Sequence, residues 1–117
     1  MSEIRVTTIS DAAGTGPVTL TKQIACKQWC YFVGTGTIAI QDSFNTASLT
    51  DFGTGNYGAN LTNAMSSANQ GLYGMSSTGE CVDNRGTAGD ARVATFNSSG
   101  SLTDSSRCNV QCQGDLA

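Results

Sequence analysis

The chain has 117 residues, the size of one domain, and its six basic and nine acidic side chains give a formal net charge of −3. The basic residues are scattered, whereas binding to phosphate backbones needs a clustered basic face, so nucleic acid is excluded as the main partner. No apolar run approaches the roughly 20 residues that cross a bilayer, and the first residues lack the apolar core of a secretory signal. We therefore expect neither membrane insertion nor export by a signal peptide.

Small and polar residues dominate the composition: Gly, Ser, Thr and Asn make up 50 of the 117 residues. The apolar residues nevertheless lie in strand-length clusters separated by turn-forming residues, and no segment has a sustained helical period. Thr is itself a good strand residue. The sequence predicts an all-β protein, an antiparallel β-sandwich of about seven to eight short strands with an N-terminal arm.

Residues 1–22 are predicted to form this arm, and residues 23–117 the sandwich. Ile4 and Val6 alternate with Arg5, which is a short signal for a half-buried strand. Together with Ile9 they are the expected docking residues of the arm. The alternative, that this segment is a first hairpin of the same domain, stays open.

Two hairpins are predicted after the arm. The first joins residues 24–33 to residues 37–42 across a Gly34-Thr35-Gly36 turn, because glycine reaches positive φ at no steric cost. It carries the only tryptophan, Trp29, and we expect Trp29 and Phe32 to fill the core. The second hairpin spans residues 47–61 and turns at another Gly-Thr-Gly, at 53–55.

Further strands are predicted at 70–77, 92–97 and 108–112. The polar, glycine-rich segment 78–89 is predicted to be a long exposed loop. We expect an exposed contact surface at Tyr57, Tyr73 and this loop, because tyrosine at a loop tip serves as a rigid contact residue.

Four of the five cysteines form two segments with the same spacing, Cys26 to Cys30 and Cys108 to Cys112. If the first core strand pairs antiparallel with the last, one register places Cys26 opposite Cys112 and Cys30 opposite Cys108, which predicts two cross-strand disulfides. Two alternatives stay open: four reduced thiols packed as small apolar residues, and a zinc ion on four thiolates. Cys81 is left without a partner by count.

Nothing in the sequence points to catalysis. Histidine, the commonest general base and metal ligand, is absent. The aspartates fall in or beside turns, where they cap their own backbone, and no nucleophile, phosphate-loop or calcium-loop motif is present. We expect no enzyme activity, no catalytic residue, no cofactor and no metal site.

Three segments together resemble a known family. They are Trp29 with Gly-Thr-Gly-Thr-Ile-Ala-Ile at 34–40, Ser-Leu-Thr-Asp and Gly-Thr-Gly-Asn-Tyr within 48–57, and Leu-Thr-Asn-Ala-Met at 61–65. In order and spacing they resemble the small β-rich fibre-type domain of tailed bacteriophages, especially marine ones. The chain departs from that pattern at the cysteines, where the family usually has Ala or Val.

The resemblance implies a non-enzymatic bacteriophage virion structural protein: a short fibre or fibre subunit on the virion surface that aids host attachment. It implies a homotrimer that contacts other virion proteins and a host surface glycan or protein. The polar composition independently favours association, because so thin a core stabilises a lone domain poorly. The alternative is a capsid or tail decoration protein that stabilises the shell through its N-terminal arm.

Overall fold

The computed structural model describes residues 2–3, 7, 12–14, 26–84 and 86–116. Within them the chain forms strands and no helix, as the sequence predicts. The strands are β1 (Gln28–Val33), β2 (Ala39–Phe44), β3 (Thr46–Gly53), β4 (Asn56–Leu61), β5 (Gly71–Ser76), β6 (Cys81–Asp83), β7 (Asp90–Thr95) and β8 (Cys108–Gln113).

The eight strands form two antiparallel sheets of four strands each. Sheet A has the order β2-β1-β8-β5, and sheet B has the order β3-β4-β7-β6. Three hairpins stay within a sheet, and the other four connections pass between the sheets. The first core strand lies beside the last, so the predicted antiparallel sandwich and this predicted pairing are confirmed.

The first hairpin forms where the sequence predicts it, with β1 paired to β2. Gly36 adopts a φ of 64°, so its freedom is used at the turn. Gly34 is needed for another reason: a Cβ there would lie 2.6 Å from the Cζ of Tyr57 and 2.9 Å from the carbonyl oxygen of Ser105. The second predicted hairpin is likewise confirmed as β3 and β4.

A single residue, Asn45, turns the chain from sheet A into sheet B between β2 and β3. Its φ is 53°, in the left-handed region that asparagine tolerates better than most residues. Its amide nitrogen donates to the carbonyl oxygens of Lys27 and Asn63, each at 3.0 Å, and its side-chain oxygen accepts from the Asn63 amide at 2.7 Å. The corner is therefore held by three side-chain hydrogen bonds.

The core lies between the two sheets and is made of small residues around two aromatic rings. Phe32 and Tyr57 meet edge to face, with ring centroids 5.3 Å apart. The other members of the buried cluster are Cys30, Ala59, Leu61, Met65, Ala91, Val93, Cys108, Val110 and Cys112. A core with so few large side chains is thin, as the composition suggests.

One sequence prediction is wrong, and another falls on residues that the structure does not describe. The segment 78–89 is not one long loop, because Cys81–Asp83 forms β6 and pairs with β7. With only three residues and polar flanks, this strand is too short to show an alternating apolar pattern in the sequence. It is defined by its hydrogen bonds to β7. The arm residues Ile4, Val6 and Ile9 lie outside the described residues.

Candidate binding face

The outer surfaces of the two sheets differ in chemistry. On sheet B many outward side chains are polar and bond to one another, beside one exposed aromatic ring, Phe52. Asn60 donates to Ser48 and Thr50 at 3.0 and 2.9 Å, and Arg92 donates to Asp90 at 2.7 Å while stacking 4.2 Å above the Phe52 ring. These groups already have partners, so this surface offers few free donors or acceptors to a ligand.

Sheet A presents aromatic rings and amides on its outer surface. The β-sheet register aligns Phe44, Trp29, Gln111 and Tyr73 in one row across all four strands, and a second row holds Asp42, Tyr31, Asn109 and Met75. We call these eight residues and Gln113 the aromatic face. Tyr73 is 58% exposed, Phe44 56% and Met75 76%. The predicted exposure of Tyr73 is therefore confirmed.

The amides of the aromatic face are unpaired. The side chains of Gln111 and Gln113 make no hydrogen bond within the described part of the chain. The side-chain oxygen of Asn109 is buried and has no partner there either. With Tyr73 and Met75 these amides line a shallow groove of about 320 Å³. A groove that joins free amides to exposed rings provides both hydrogen bonds and apolar contact to a ligand.

Trp29 does not fill the core as predicted. It faces outward beside Tyr31 and Val33, while Gln28, Cys30 and Phe32 face inward. Successive side chains of a strand point to opposite faces, so residues 29 and 32 cannot both face the core. The strict alternation of the strand was the signal that could have located Trp29 correctly.

Tyr57 is also not an exposed contact residue, because it is only 1% exposed. Its hydroxyl lies 2.9 Å from both the Gly34 carbonyl oxygen and a carboxylate oxygen of Asp104, which compete for its one proton. Burial, followed by the hydrogen bond to the Asp104 carboxylate, raises the pKa of the Tyr57 hydroxyl far above its ordinary value. Tyr57 is a structural residue that connects the first turn to the segment before β8.

The predicted disulfide register is wrong by two residues. Cys30 lies opposite Val110, Cys112 lies opposite Gln28, and Cys108 lies opposite Phe32. All five cysteines are free thiols. The observed register places the small Cys108 thiol across from the large Phe32 ring.

Burial between the sheets makes the inward-facing thiols unreactive. Burial raises the pKa of Cys30 to about 11 and that of Cys112 to about 12, so both are protonated at neutral pH. Burial likewise raises the pKa of Cys81 to about 11. Among the described residues no group of three or more Cys, Asp or Glu side chains is placed to hold a metal ion.

Elsewhere, the polar clusters serve the fold. Burial opposes ionisation of Asp90, but hydrogen bonds from Arg92 and Thr87 outweigh it and lower the pKa of this carboxyl group.

A second, smaller cavity of about 260 Å³ lies between Gln70, Leu72 and Asp83. Within the described residues the chain forms no helix of the length and apolarity that a membrane crossing requires.

The fold and the face together define an all-β, two-sheet sandwich with one polar, internally bonded surface and one aromatic, amide-bearing surface. The chain matches no family model, no curated protein and no solved structure.

Proposed function

We propose that this protein is a non-enzymatic structural component of a bacteriophage virion, a short fibre or fibre subunit exposed on the particle that aids attachment to the host. The sequence resemblance of residues 29–45, 48–57 and 61–69 to fibre-type domains supports the virion role. The observation that carries the attachment role is the difference between the two outer surfaces. The polar side chains on the outer surface of sheet B form hydrogen bonds with one another, while the aromatic face carries exposed rings and unpaired amides.

Attachment through such a face depends on multivalent binding by several copies of the chain. A shallow groove gives each copy a weak site, and several copies on one projection raise the effective concentration of the second and later contacts. The proposed homotrimer, in contact with other virion proteins, provides this multiplicity. The thin core is consistent with a chain that gains stability from neighbouring subunits.

Antibody labelling of intact virions under the electron microscope tests the proposal. Antibodies raised against the full chain should label fibres or projections at the tail, and purified protein added in excess should slow adsorption of virions to host cells. Label spread over the head would overturn the fibre role in favour of a decoration protein. Absence of label from the particles would overturn the virion role altogether.

A further inference from the structure

We infer that the aromatic face binds a neutral glycan, with the rings of Tyr73, Trp29 and Phe44 stacking on sugar rings and the amides of Gln111 and Asn109 bonding to sugar hydroxyls. This inference rests on the proposed attachment function and names the class of its ligand.

Charge sets the ligand class. Strands β1, β2, β5 and β8 contain 24 residues, of which Asp42 is the only charged one. Aromatic platforms that bind single-stranded nucleic acid combine their rings with a positively charged groove, and anionic lipid surfaces likewise need cations. The nearest cations, Arg107 and Lys27, directly precede β8 and β1 and so lie at opposite ends of the sheet, which leaves the face without a cluster of cations for a phosphate or a carboxylate. A neutral ligand is therefore favoured over an anionic one.

Size distinguishes a glycan from a second copy of the chain. Four strands about 4.8 Å apart, each rising about 3.4 Å per residue over its six residues, give a face of about 20 Å by 20 Å, or about 400 Å² in projection. A stable interface between proteins buries about 800 Å² on each partner. The projected area of this face is about half of that accessible area, so a second copy would need contacts beyond the face, whereas an oligosaccharide is covered by it.

The row spacing fits an extended glycan. Trp29 and Tyr73 occupy the same row with Gln111 between them, so their backbones are two strand spacings, or about 10 Å, apart. This distance is comparable to two units of an extended sugar chain, so two rings can stack on alternate units while the amide between them reaches a hydroxyl. The aromatic face of a tyrosine or tryptophan offers apolar contact to the C–H side of a sugar ring.

The unpaired Asn109 oxygen supports the same ligand. A buried acceptor without a donor costs free energy in the unbound protein, about 1–3 kcal/mol for a group of this type. A sugar hydroxyl that displaces the exposed Met75 side chain from the groove would reach this oxygen, donate a hydrogen bond to it and remove that cost. Free glutamine amides at Gln111 and Gln113 add donors and acceptors along the groove.

The test uses the full chain on an array of neutral and anionic glycans, followed by titration of the best binder in solution. Trp29 is the only tryptophan and lies in the row, so its fluorescence reports binding at this face. We expect neutral glycans to bind and to change Trp29 emission saturably. Tyr73→Ala and Gln111→Ala should each raise the dissociation constant at least tenfold. Both variants keep Trp29, so its fluorescence still reports binding.

Phe52→Ala is the matched control, because Phe52 is an aromatic residue of similar exposure, 48%, on the other sheet. It should bind as the unmodified protein does. No binding of a neutral glycan, equal binding of anionic glycans, or an equal loss in Phe52→Ala would overturn the inference. If Tyr73→Ala instead lowers the mass measured by light scattering from oligomer to monomer, a second copy occupies the face and the glycan inference is wrong.

The two proposals fail separately. Virions that label with antibody while the chain binds no glycan would keep the virion role and remove the ligand. Glycan binding by a chain that is absent from virions would keep the glycan ligand and remove the virion role.

Discussion

Replacing Tyr57 by phenylalanine removes one oxygen atom from the centre of the sandwich and little else. The ring keeps its place against Phe32, and the hydroxyl is lost from its position 2.9 Å from the Gly34 carbonyl oxygen. Gly34 is buried, so its carbonyl oxygen has no ready access to a replacement water molecule. Asp104 is exposed and still accepts a hydrogen bond from the Gly55 amide at 2.8 Å.

The magnitude follows from this difference between the two acceptors. The hydroxyl also accepts a hydrogen bond of 3.4 Å from the buried Ser105 amide. Leaving a buried backbone group, the Gly34 carbonyl oxygen or the Ser105 amide, without its partner costs about 1–3 kcal/mol, while Asp104 recovers its bond from water. We therefore expect Tyr57→Phe to lower the free energy of unfolding by about 2 kcal/mol, measured by urea denaturation. The slope of the transition should stay constant, because the change leaves the buried surface nearly the same.

Tyr73→Phe provides the matched control. It removes a hydroxyl from an exposed tyrosine that makes no hydrogen bond within the described part of the chain. Its effect should stay within about 0.5 kcal/mol, as for most surface changes. If the two variants were equally stable, the hydroxyl of Tyr57 would contribute nothing and the reasoning from its two acceptors would be refuted.

Three further outcomes are expected. Asn45→Gly should destabilise the protein by removing three side-chain hydrogen bonds, and Asn45→Ala should cost about 1 kcal/mol more in urea denaturation, because its φ of 53° also strains alanine; equal losses would contradict this. A thiol assay in denaturant without reductant should count all five cysteines, and a lower count would restore the disulfides. The folded protein holds the thiol protons of Cys30 and Cys112 above pH 9, where the unfolded chain releases them, so stability should fall by about 1.4 kcal/mol per pH unit for each thiol between about pH 9 and 11; Cys30→Ala should flatten that fall, and an unchanged slope would argue against its raised pKa.

The sequence determined the class of fold and the position of most strands. Runs of β-branched and aromatic residues between Gly-Thr-Gly turns are local signals, and both predicted hairpins formed where those signals lie. The pairing of the first core strand with the last was also predicted from the matched cysteine spacing, although for thiol pairs that do not form. Local pattern suffices here because a strand and its turn are decided by neighbouring residues.

Only the tertiary structure decided the register, and with it the candidate site. A shift of two residues leaves every side chain on the same face of a strand, so alternation cannot distinguish Cys30 opposite Cys108 from Cys30 opposite Val110. The aromatic row joins the β1–β2 hairpin to β5 and β8, which lie far from it in the chain, and it exists only in one register. Likewise, Tyr57 is buried because Gly34, 23 residues away, leaves room for its ring, and no local pattern contains that contact.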